Sequence, residues 1–149
     1  KETISATNKL KKIIIAFSSV LFAISLTQKA YCTTSQCGDS IMAFLLGWFA
    51  MFSGGAGISW IANPLLFISW FTLKKNIQTA VLLSAIATLS SLSFLLFDRI
   101  GTSESGHSQQ ILVYKAGYWI WLSSCATTLV GSVILLLREK MRKTAGEGE

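Results

Sequence analysis

Two cysteines, Cys32 and Cys37, are the residues of this chain best suited to chemistry, because only four polar residues separate them. Such a pair can form a disulfide, which an oxidising compartment favours and which would close a small loop. The same pair could exchange electrons as a dithiol. The sequence predicts a structural Cys32–Cys37 disulfide, with redox chemistry as a distant alternative. Cys125 stands alone in an apolar stretch and is expected to be a small packing residue.

A second candidate site is a break in the longest apolar stretch, where several glycines are followed by an amide and a proline. Pro64 removes a backbone donor, and Asn63 is a costly amide among apolar residues unless it is paired. Membrane helices tolerate such breaks where protein or a wet cavity covers the opened backbone. The candidate ligand site or gate consists of Gly54, Gly55, Gly57, Trp60, Asn63 and Pro64. The alternative is a kinked helix in which Asn63 bonds to a neighbouring helix.

Motifs for catalysis or for holding a cofactor are not found in the sequence. Asp98, Glu104 and His107 are close in sequence, but His107 is the only histidine, and a metal site needs more ligands that converge on it. The glycines of 54–57 have no lysine beside them, which excludes a phosphate-binding loop. We therefore expect a protein that is not an enzyme and has no cofactor, no metal and no nucleic-acid partner.

The composition defines the elements that must position these residues. Of the 149 residues, 52% are hydrophobic and 13% are charged, which is about half of the roughly 25% charge of a soluble domain. Four stretches carry no Lys, Arg, Asp, Glu or His, and a membrane crossing needs about 20 apolar residues. These stretches are 13–26, 41–73, 77–97 and 117–137. The sequence predicts an all-α integral membrane protein, a small four-helix transmembrane bundle forming one domain, 1–149.

The second stretch, 41–73, is too long for one straight crossing and short for two, and the basic residues decide between these possibilities. Loops on the cytoplasmic side of a membrane carry an excess of Lys and Arg. If the stretch crosses once, ten basic residues lie inside and three outside, whereas two crossings would place six inside and seven outside. We therefore predict that the chain crosses a cell membrane four times, with both termini in the cytoplasm. The expected membrane is a bacterial inner membrane.

The predicted segments follow from the same patterns. The crossings are 11–28, 58–73, 77–97 and 117–137, with an interfacial or re-entrant segment at 41–53, outer loops at 29–40 and 98–116, and a cytoplasmic tail at 138–149. Trp60 and Trp70 are expected to be interfacial anchors at the two ends of the second crossing. Within the outer loop, 111–114 would form a short strand or dip toward the interface. Two alternatives stay open, namely removal of 1–30 as a signal peptide and a single long kinked helix over 41–73.

Small and hydroxylated residues recur at three- and four-residue steps, which predicts the faces along which the helices pack. They are Ser19 and Ala23 in the first helix, Ser84, Ala87, Thr88 and Ser91 in the third, and Ser124, Thr127, Thr128 and Gly131 in the fourth. Ser and Thr hydroxyls can bond to carbonyls of their own helix, so these residues need no further function. A polar seam that lines a pore or an oligomer interface is the alternative.

Two main classes of function are compatible with these features. The first is a non-enzymatic membrane protein that binds a partner, as a subunit or as a protective protein similar to toxin-immunity proteins, which often have three or four membrane helices. The second is an oligomeric pore or small-solute carrier with its site at the break, 54–64. The expected partners are the lipid bilayer and another membrane protein or a second copy of the chain.

A thiol–quinone redox protein is the distant alternative. The layout is similar in outline to four-helix membrane oxidoreductases that pass electrons from thiols to quinone through a cysteine pair in an outer loop. Those families typically have a Cys-x-x-Cys pair and a second pair within reach. Here the spacing is Cys-x-x-x-x-Cys, and Cys125 is single.

Overall fold

The computed structural model describes residues 2–53, 55–101 and 108–146, and this part of the chain is mostly helical. The helices are α1 (Glu2–Leu26), α2 (Ser40–Ala50), α3 (Ala62–Lys75), α4 (Ile77–Ser93) and α5 (Ala116–Gly146). Short 3₁₀ segments follow α2 (Met51–Ser53), precede α3 (Gly55–Ile61) and follow α4 (Phe94–Leu96). The strands are β1 (Lys29–Thr33), β2 (Cys37–Asp39), β3 (Arg99–Gly101) and β4 (Ser108–Tyr114).

The four strands form a small antiparallel sheet in the order β2-β1-β4-β3, so the prediction of an all-α protein is wrong on this point. β1 lies between β2 and β4, and its Tyr31 pairs with Tyr114. Aromatic and β-branched residues, which suit a pleated surface, occur in both central strands. The sheet therefore occupies most of the two segments that the sequence predicted as outer loops.

Three helical segments within the described ranges are long and apolar enough to cross a membrane, namely Gly55–Lys75, Ile77–Leu96 and Ala116–Ala145. At about 1.5 Å per residue, each of these segments reaches at least about 30 Å, the thickness of a hydrocarbon core. α1 has 25 residues, but its sequence includes Lys9, Lys11 and Lys12. α2 has 11 residues and reaches only about 16 Å. α5 continues to Gly146, so most of the predicted tail is helical.

The sheet lies at one end of the bundle, and the α3–α4 turn and the last turns of α5 lie at the other. α5 packs against α1 and α4, and α3 packs against α4. Lys11, Lys75 and Arg138 line one cleft, which places α1's lysines, the α3–α4 turn and the last part of α5 at the same end. We call this the basic end and the other the sheet end.

Small polar side chains fill much of the interior, whereas large apolar side chains cover the outside of the bundle. The fully buried serines are Ser18, Ser69, Ser84, Ser91, Ser124 and Ser132, each 0% exposed. By contrast, exposure reaches 69% at Phe71, 61% at Leu82 and 67% at Leu89. Helices that pack in lipid show this distribution, because small residues allow close backbone approach and lipid removes the penalty for exposed apolar surface.

The predicted packing faces of α4 and α5 are buried except for Thr88 and Thr127, which are half-buried, but that of α1 is shifted by one residue. Ser18 is buried instead of Ser19, and Ala23 is exposed. The inward face of α1 is formed by Ile14, Ser18, Phe22 and Ser25. This face mixes large and small residues at three- and four-residue steps, so a search for small residues alone does not detect it.

Candidate functional site

Cys32 and Cys37 face each other across the β1–β2 hairpin and form a disulfide, with their Cα atoms 3.9 Å apart. The predicted pairing is therefore confirmed. At the other end of the hairpin, Lys29 Nζ lies 2.6 Å from the Asp39 carboxylate. Near the turn, the Thr33 and Ser35 hydroxyls donate to Gln109 Oε1 at 2.7 and 2.6 Å. The disulfide-closed hairpin is thus bonded to β4 through side chains as well as through the backbone ladder.

An aromatic cluster joins the sheet to the helices beneath it. Ring contacts connect Phe94 to Tyr31, Tyr114 and Tyr118, with centroids 5.6–6.1 Å apart. The Tyr114 hydroxyl donates to the carbonyls of Phe94 and Phe97, both at 3.2 Å. Burial raises the pKa of Tyr31, and burial followed by the Asp98 charge raises the pKa of Tyr114. These hydroxyls therefore stay neutral, and the cluster fixes the sheet on α4 and α5.

Removing the disulfide will destabilise the sheet end by about 2 kcal/mol, because the open chain regains the freedom of a short loop. The variant is the double change Cys32→Ser and Cys37→Ser. Hydrogen exchange of the β1, β2 and β4 amides in detergent will rise accordingly, while amides of α4 and α5 stay protected. Cys125→Ala is the control because it leaves the disulfide intact. Unchanged exchange in β1 would contradict a stabilising role.

The predicted break is a junction at which α2 folds back on the segment Gly55–Ile61. Gly55 has φ +60°, a left-handed conformation that favours glycine. A Cβ on Gly57 would collide with the Ala50 carbonyl, so the two backbones are in contact there. Trp60 Nε1 donates to the Phe44 carbonyl at 2.8 Å and covers Gly47. Gly54 lies outside the described residues.

Asn63 and Pro64 lie in the first turn of α3. Asn63 is 4% exposed, and its Oδ1 accepts a hydrogen bond from Trp121 Nε1 of α5 at 2.8 Å. Pro64 is the third residue of α3 and follows the 3₁₀ segment Gly55–Ile61, so its missing N–H lies where the 3₁₀ helix changes to an α-helix. Trp60 thus bonds to α2 and Asn63 to α5. These two predicted site residues therefore form hydrogen bonds with different helices.

Changing Gly57 to valine will lower the free energy of unfolding by about 1–3 kcal/mol, because the backbones at Ala50 and Gly57 must separate. Chemical denaturation in detergent micelles, followed by tryptophan fluorescence, measures the loss. Gly55→Asn is the matched control, since no atom lies within 4 Å of a Cβ at Gly55 and Asn tolerates positive φ. An equal effect of the two changes would contradict the close contact at Gly57.

The Asn63–Trp121 hydrogen bond is testable by a double-mutant cycle. Trp121→Phe removes the donor, and Asn63→Leu removes the acceptor. We expect each change to cost about 1 kcal/mol, with a coupling energy of about 0.6–2 kcal/mol, the range found for hydrogen bonds between membrane helices. The readout is unfolding in detergent micelles. Additive effects would show that the two side chains do not interact.

A buried polar cluster, which the sequence analysis did not identify as a unit, joins α1, α3 and α5. Trp70 Nε1 lies 3.1 Å from both Ser18 Oγ and Thr128 Oγ1. Ser18 Oγ and Ser124 Oγ are 3.0 Å apart, and Thr128 Oγ1 is 2.8 Å from Ser18 Oγ. We call these four residues the Ser18 cluster. Because its members bond to one another, the cluster connects three helices, and the polar groups of its four side chains have partners within the protein.

Trp70 is expected at a membrane interface, and the structure turns its half-buried indole toward α1 and α5. Its ring lies 6.1 Å from that of Phe22 and 5.3 Å from that of Phe67. The available sequence signal is the face Ile14–Ser18–Phe22–Ser25 on α1, which has helical spacing. No sequence pattern indicates that a tryptophan of another helix meets this face.

The remaining candidates for chemistry are separated. Cys125 is fully buried in the bundle with Phe22 and Leu66, whereas the disulfide lies in the sheet. Across the residues that the structure describes, no group of three or more His, Cys, Asp and Glu side chains is placed to hold a metal. Glu104 and His107, the other residues weighed for a metal, lie outside the described ranges.

Three exposed aromatic residues lie close together on and just after α2. Trp48, Phe49 and Phe52 are 50, 67 and 77% exposed, and the rings of Phe49 and Phe52 lie 6.4 and 6.2 Å from that of Trp48. We call these three residues the α2 aromatic surface. α2 follows β2 directly and contacts β1 and β2, so the helix that bears this surface starts at the disulfide-closed hairpin.

Comparison of the chain with protein-family models, with curated proteins and with solved structures gives no match.

Proposed function

We propose that this chain is a multi-pass membrane protein of a non-enzymatic type that binds a partner membrane protein at its sheet end. In this proposal it acts as a subunit of a membrane complex or as a protective, immunity-like protein. The observation that carries the proposal is a contrast between interior and surface. The polar side chains of the Ser18 cluster bond to one another, whereas the α2 aromatic surface is open.

The proposed topology has four crossings, with α1 as the fourth membrane helix. α1 exposes Ile13, Phe17, Val20 and Ile24, which are 44–56% exposed and follow helical spacing along one face. This apolar face lies opposite the packed face of Ser18 and Phe22 and suits contact with lipid. Lys9, Lys11 and Lys12 would extend to the headgroups at the basic end. We further propose that the basic end is cytoplasmic, in agreement with the excess of Lys and Arg there.

The α2 aromatic surface is the proposed partner site. α2 is too short to cross a membrane, and it is attached to the bundle through Phe44, which packs on Phe22 and Phe67. Exposed aromatic side chains of low conformational entropy are typical anchors of protein interfaces. The neighbouring hairpin is closed by a disulfide and an ion pair, so the surface is held on a rigid support.

The pore and carrier alternative requires free polar groups at the break. Asn63 is engaged by Trp121, and Gly57 is packed against Ala50, so these contacts give that alternative no support. The redox alternative requires a second cysteine pair, and the chain has only Cys125 besides Cys32 and Cys37. Partner binding is therefore the function that the described contacts favour.

Site-specific photo-crosslinking in cells tests the proposal. A photoreactive amino acid at Phe49 or Phe52 should give one discrete protein adduct, whose yield falls when Trp48 is changed to serine. The same amino acid at Leu89, which is 67% exposed on a spanning helix, is the matched control and should label lipid. Two differently tagged copies distinguish self-association from a second protein. Solute flux through liposomes containing the purified protein, without any adduct, would overturn the proposal in favour of a pore.

A further inference from the structure

A cleft at the basic end is lined by side chains from three parts of the chain. Its volume is ≈ 550 Å³, within the range of about 300–1,000 Å³ that small-ligand pockets have. The basic residues that line it are Lys11 of α1, Lys75 at the α3–α4 turn, and Arg138 and Arg142 of α5. Four positive charges from three helices thus surround one space, which the proposed topology places at the level of the lipid headgroups.

The negative charge that lines the cleft is already paired. Glu139 is the acidic residue in the lining, and its carboxylate lies 3.1 Å from Lys143 Nζ. The structure does not describe the side chains of residues 2–4. Among the side chains that it describes, no carboxylate lies within ion-pair distance of Lys11, Lys75, Arg138 or Arg142. These four cations therefore have no described counter-charge, and an anion would supply it.

The amino end of α4 adds to the attraction for an anion. Asn76, Ile77 and Gln78 line the cleft, and the first turn of a helix presents partial positive charge and free N–H groups. At the carboxyl end of the preceding helix, α3, Lys11 Nζ donates to the Lys74 carbonyl at 3.4 Å. The last turn of α3, whose partial charge is negative, is thus covered by a lysine. The amino end of α4 therefore favours negative charge in the cleft, and Lys11 offsets the opposing partial charge of α3.

The floor of the cleft is apolar. Leu10, Ile77 and Leu135 line it, and Leu135 is 2% exposed. A free inorganic anion would gain nothing from such a floor, whereas a phospholipid places its phosphate above hydrocarbon. Basic pockets between membrane helices recognise phosphate-bearing headgroups in this way.

We propose that the cleft at the basic end binds the phosphate headgroup of an anionic phospholipid, with Lys11, Lys75, Arg138 and Arg142 as its cationic contacts. The inference rests on the proposed membrane setting, and it is independent of which partner binds at the sheet end. The bound lipid would join α1, the α3–α4 turn and α5 at the basic end, in addition to the contacts that the Ser18 cluster makes within the bundle.

The test measures which lipids the purified full chain retains. The protein is reconstituted in nanodiscs of phosphatidylcholine mixed with phosphatidylglycerol, released into detergent, and analysed by native mass spectrometry. The wild type should retain phosphatidylglycerol in preference to phosphatidylcholine. In the double variant Lys75→Gln and Arg138→Gln, this preference should fall about 25-fold, taking about fivefold for each basic residue removed.

The matched control removes the same charge at the same end but outside the cleft. Lys12 and Lys140 are exposed and do not line it, so Lys12→Gln with Lys140→Gln should keep most of the preference. The charge-preserving pair Lys75→Arg and Arg138→Lys should keep it as well. Monodisperse size-exclusion profiles and an oxidised Cys32–Cys37 pair show that each variant is folded.

Three outcomes would overturn the inference. One is an equal loss in the control variant, which would indicate diffuse attraction of the membrane surface. Another is displacement of the retained lipid by millimolar inorganic phosphate, which would indicate a site for the free anion. The third is insertion into nanodiscs without any preference for phosphatidylglycerol. Failure to enter nanodiscs at all would instead contradict the proposed membrane setting, so the two failures are distinguishable.

Discussion

Replacing Trp70 with alanine will lower the free energy of unfolding by about 3–5 kcal/mol, the largest loss that we expect from a single substitution in this chain. The indole fills space between Phe22 and Phe67. Its N–H also lies within hydrogen-bond distance of Ser18 and Thr128. Alanine leaves a cavity and removes the link from α3 to the Ser18 cluster. Denaturation of the detergent-solubilised protein, followed by far-ultraviolet circular dichroism, measures the loss.

Two further variants separate packing from hydrogen bonding at Trp70. Trp70→Phe keeps most of the ring and removes the N–H, so we expect a loss of about 1 kcal/mol. Trp119 is 49% exposed and makes a ring contact with Tyr118. Trp119→Ala should therefore cost less than about 1 kcal/mol. If Trp119→Ala destabilised the protein as much as Trp70→Ala, the interior position of Trp70 would be wrong.

Changing Leu89 to arginine will hinder membrane insertion of α4 by about 2.5–3.5 kcal/mol, because an arginine at the centre of a spanning helix must enter hydrocarbon. Leu89 is 67% exposed, so the change leaves the packing of the bundle intact. The same substitution on a water-exposed surface would have little effect. A glycosylation-tag insertion assay in microsomes measures the change in the inserted fraction.

The control for Leu89→Arg is an equally exposed leucine in the sheet. Leu112 lies on β4 and is 62% exposed, so Leu112→Arg should leave insertion unchanged. Normal insertion of both variants would show that the exposed apolar surface of α4 does not face lipid. The contrast therefore tests the membrane setting itself rather than the stability of the fold.

Sequence reasoning predicted the long helices well, because length and apolar composition are local properties. The predicted segments 77–97 and 117–137 correspond to helical segments Ile77–Leu96 and Ala116–Ala145. The disulfide was predictable for the same reason, since Cys32 and Cys37 are close in sequence. A glycine-rich break was also recognisable, and Gly55 has the positive φ that ends regular helix there.

A strand at 111–114 was one of two predicted possibilities, and these residues lie in β4. The four-stranded sheet and the Ser18 cluster were not predicted, because both depend on contacts between distant parts of the chain. β1 has only five residues and shows no regular alternation of apolar and polar residues, and its partner β4 belongs to a different loop. In α1, apolar residues occur on every side, so the sequence does not indicate which serine faces inward. Trp70 shows the same limitation, since an indole near a helix end suits an interface as well as a polar cluster.

The pairing of β1 with β4 also constrains the order in which this chain can assemble. Thr33 and Gln109, which are bonded in the sheet, are 76 residues apart, and α2, α3 and α4 lie between them. During synthesis, the β1–β2 hairpin can close early, but its inner edge stays unpaired until α4 has been completed and β4 emerges. An unpaired edge of this kind accepts a strand from any nearby chain. Truncation before residue 108 would therefore leave a folded hairpin whose free edge is a template for aggregation. Completion of the sheet requires the chain through β4, so it occurs only after α2, α3 and α4 have been synthesised.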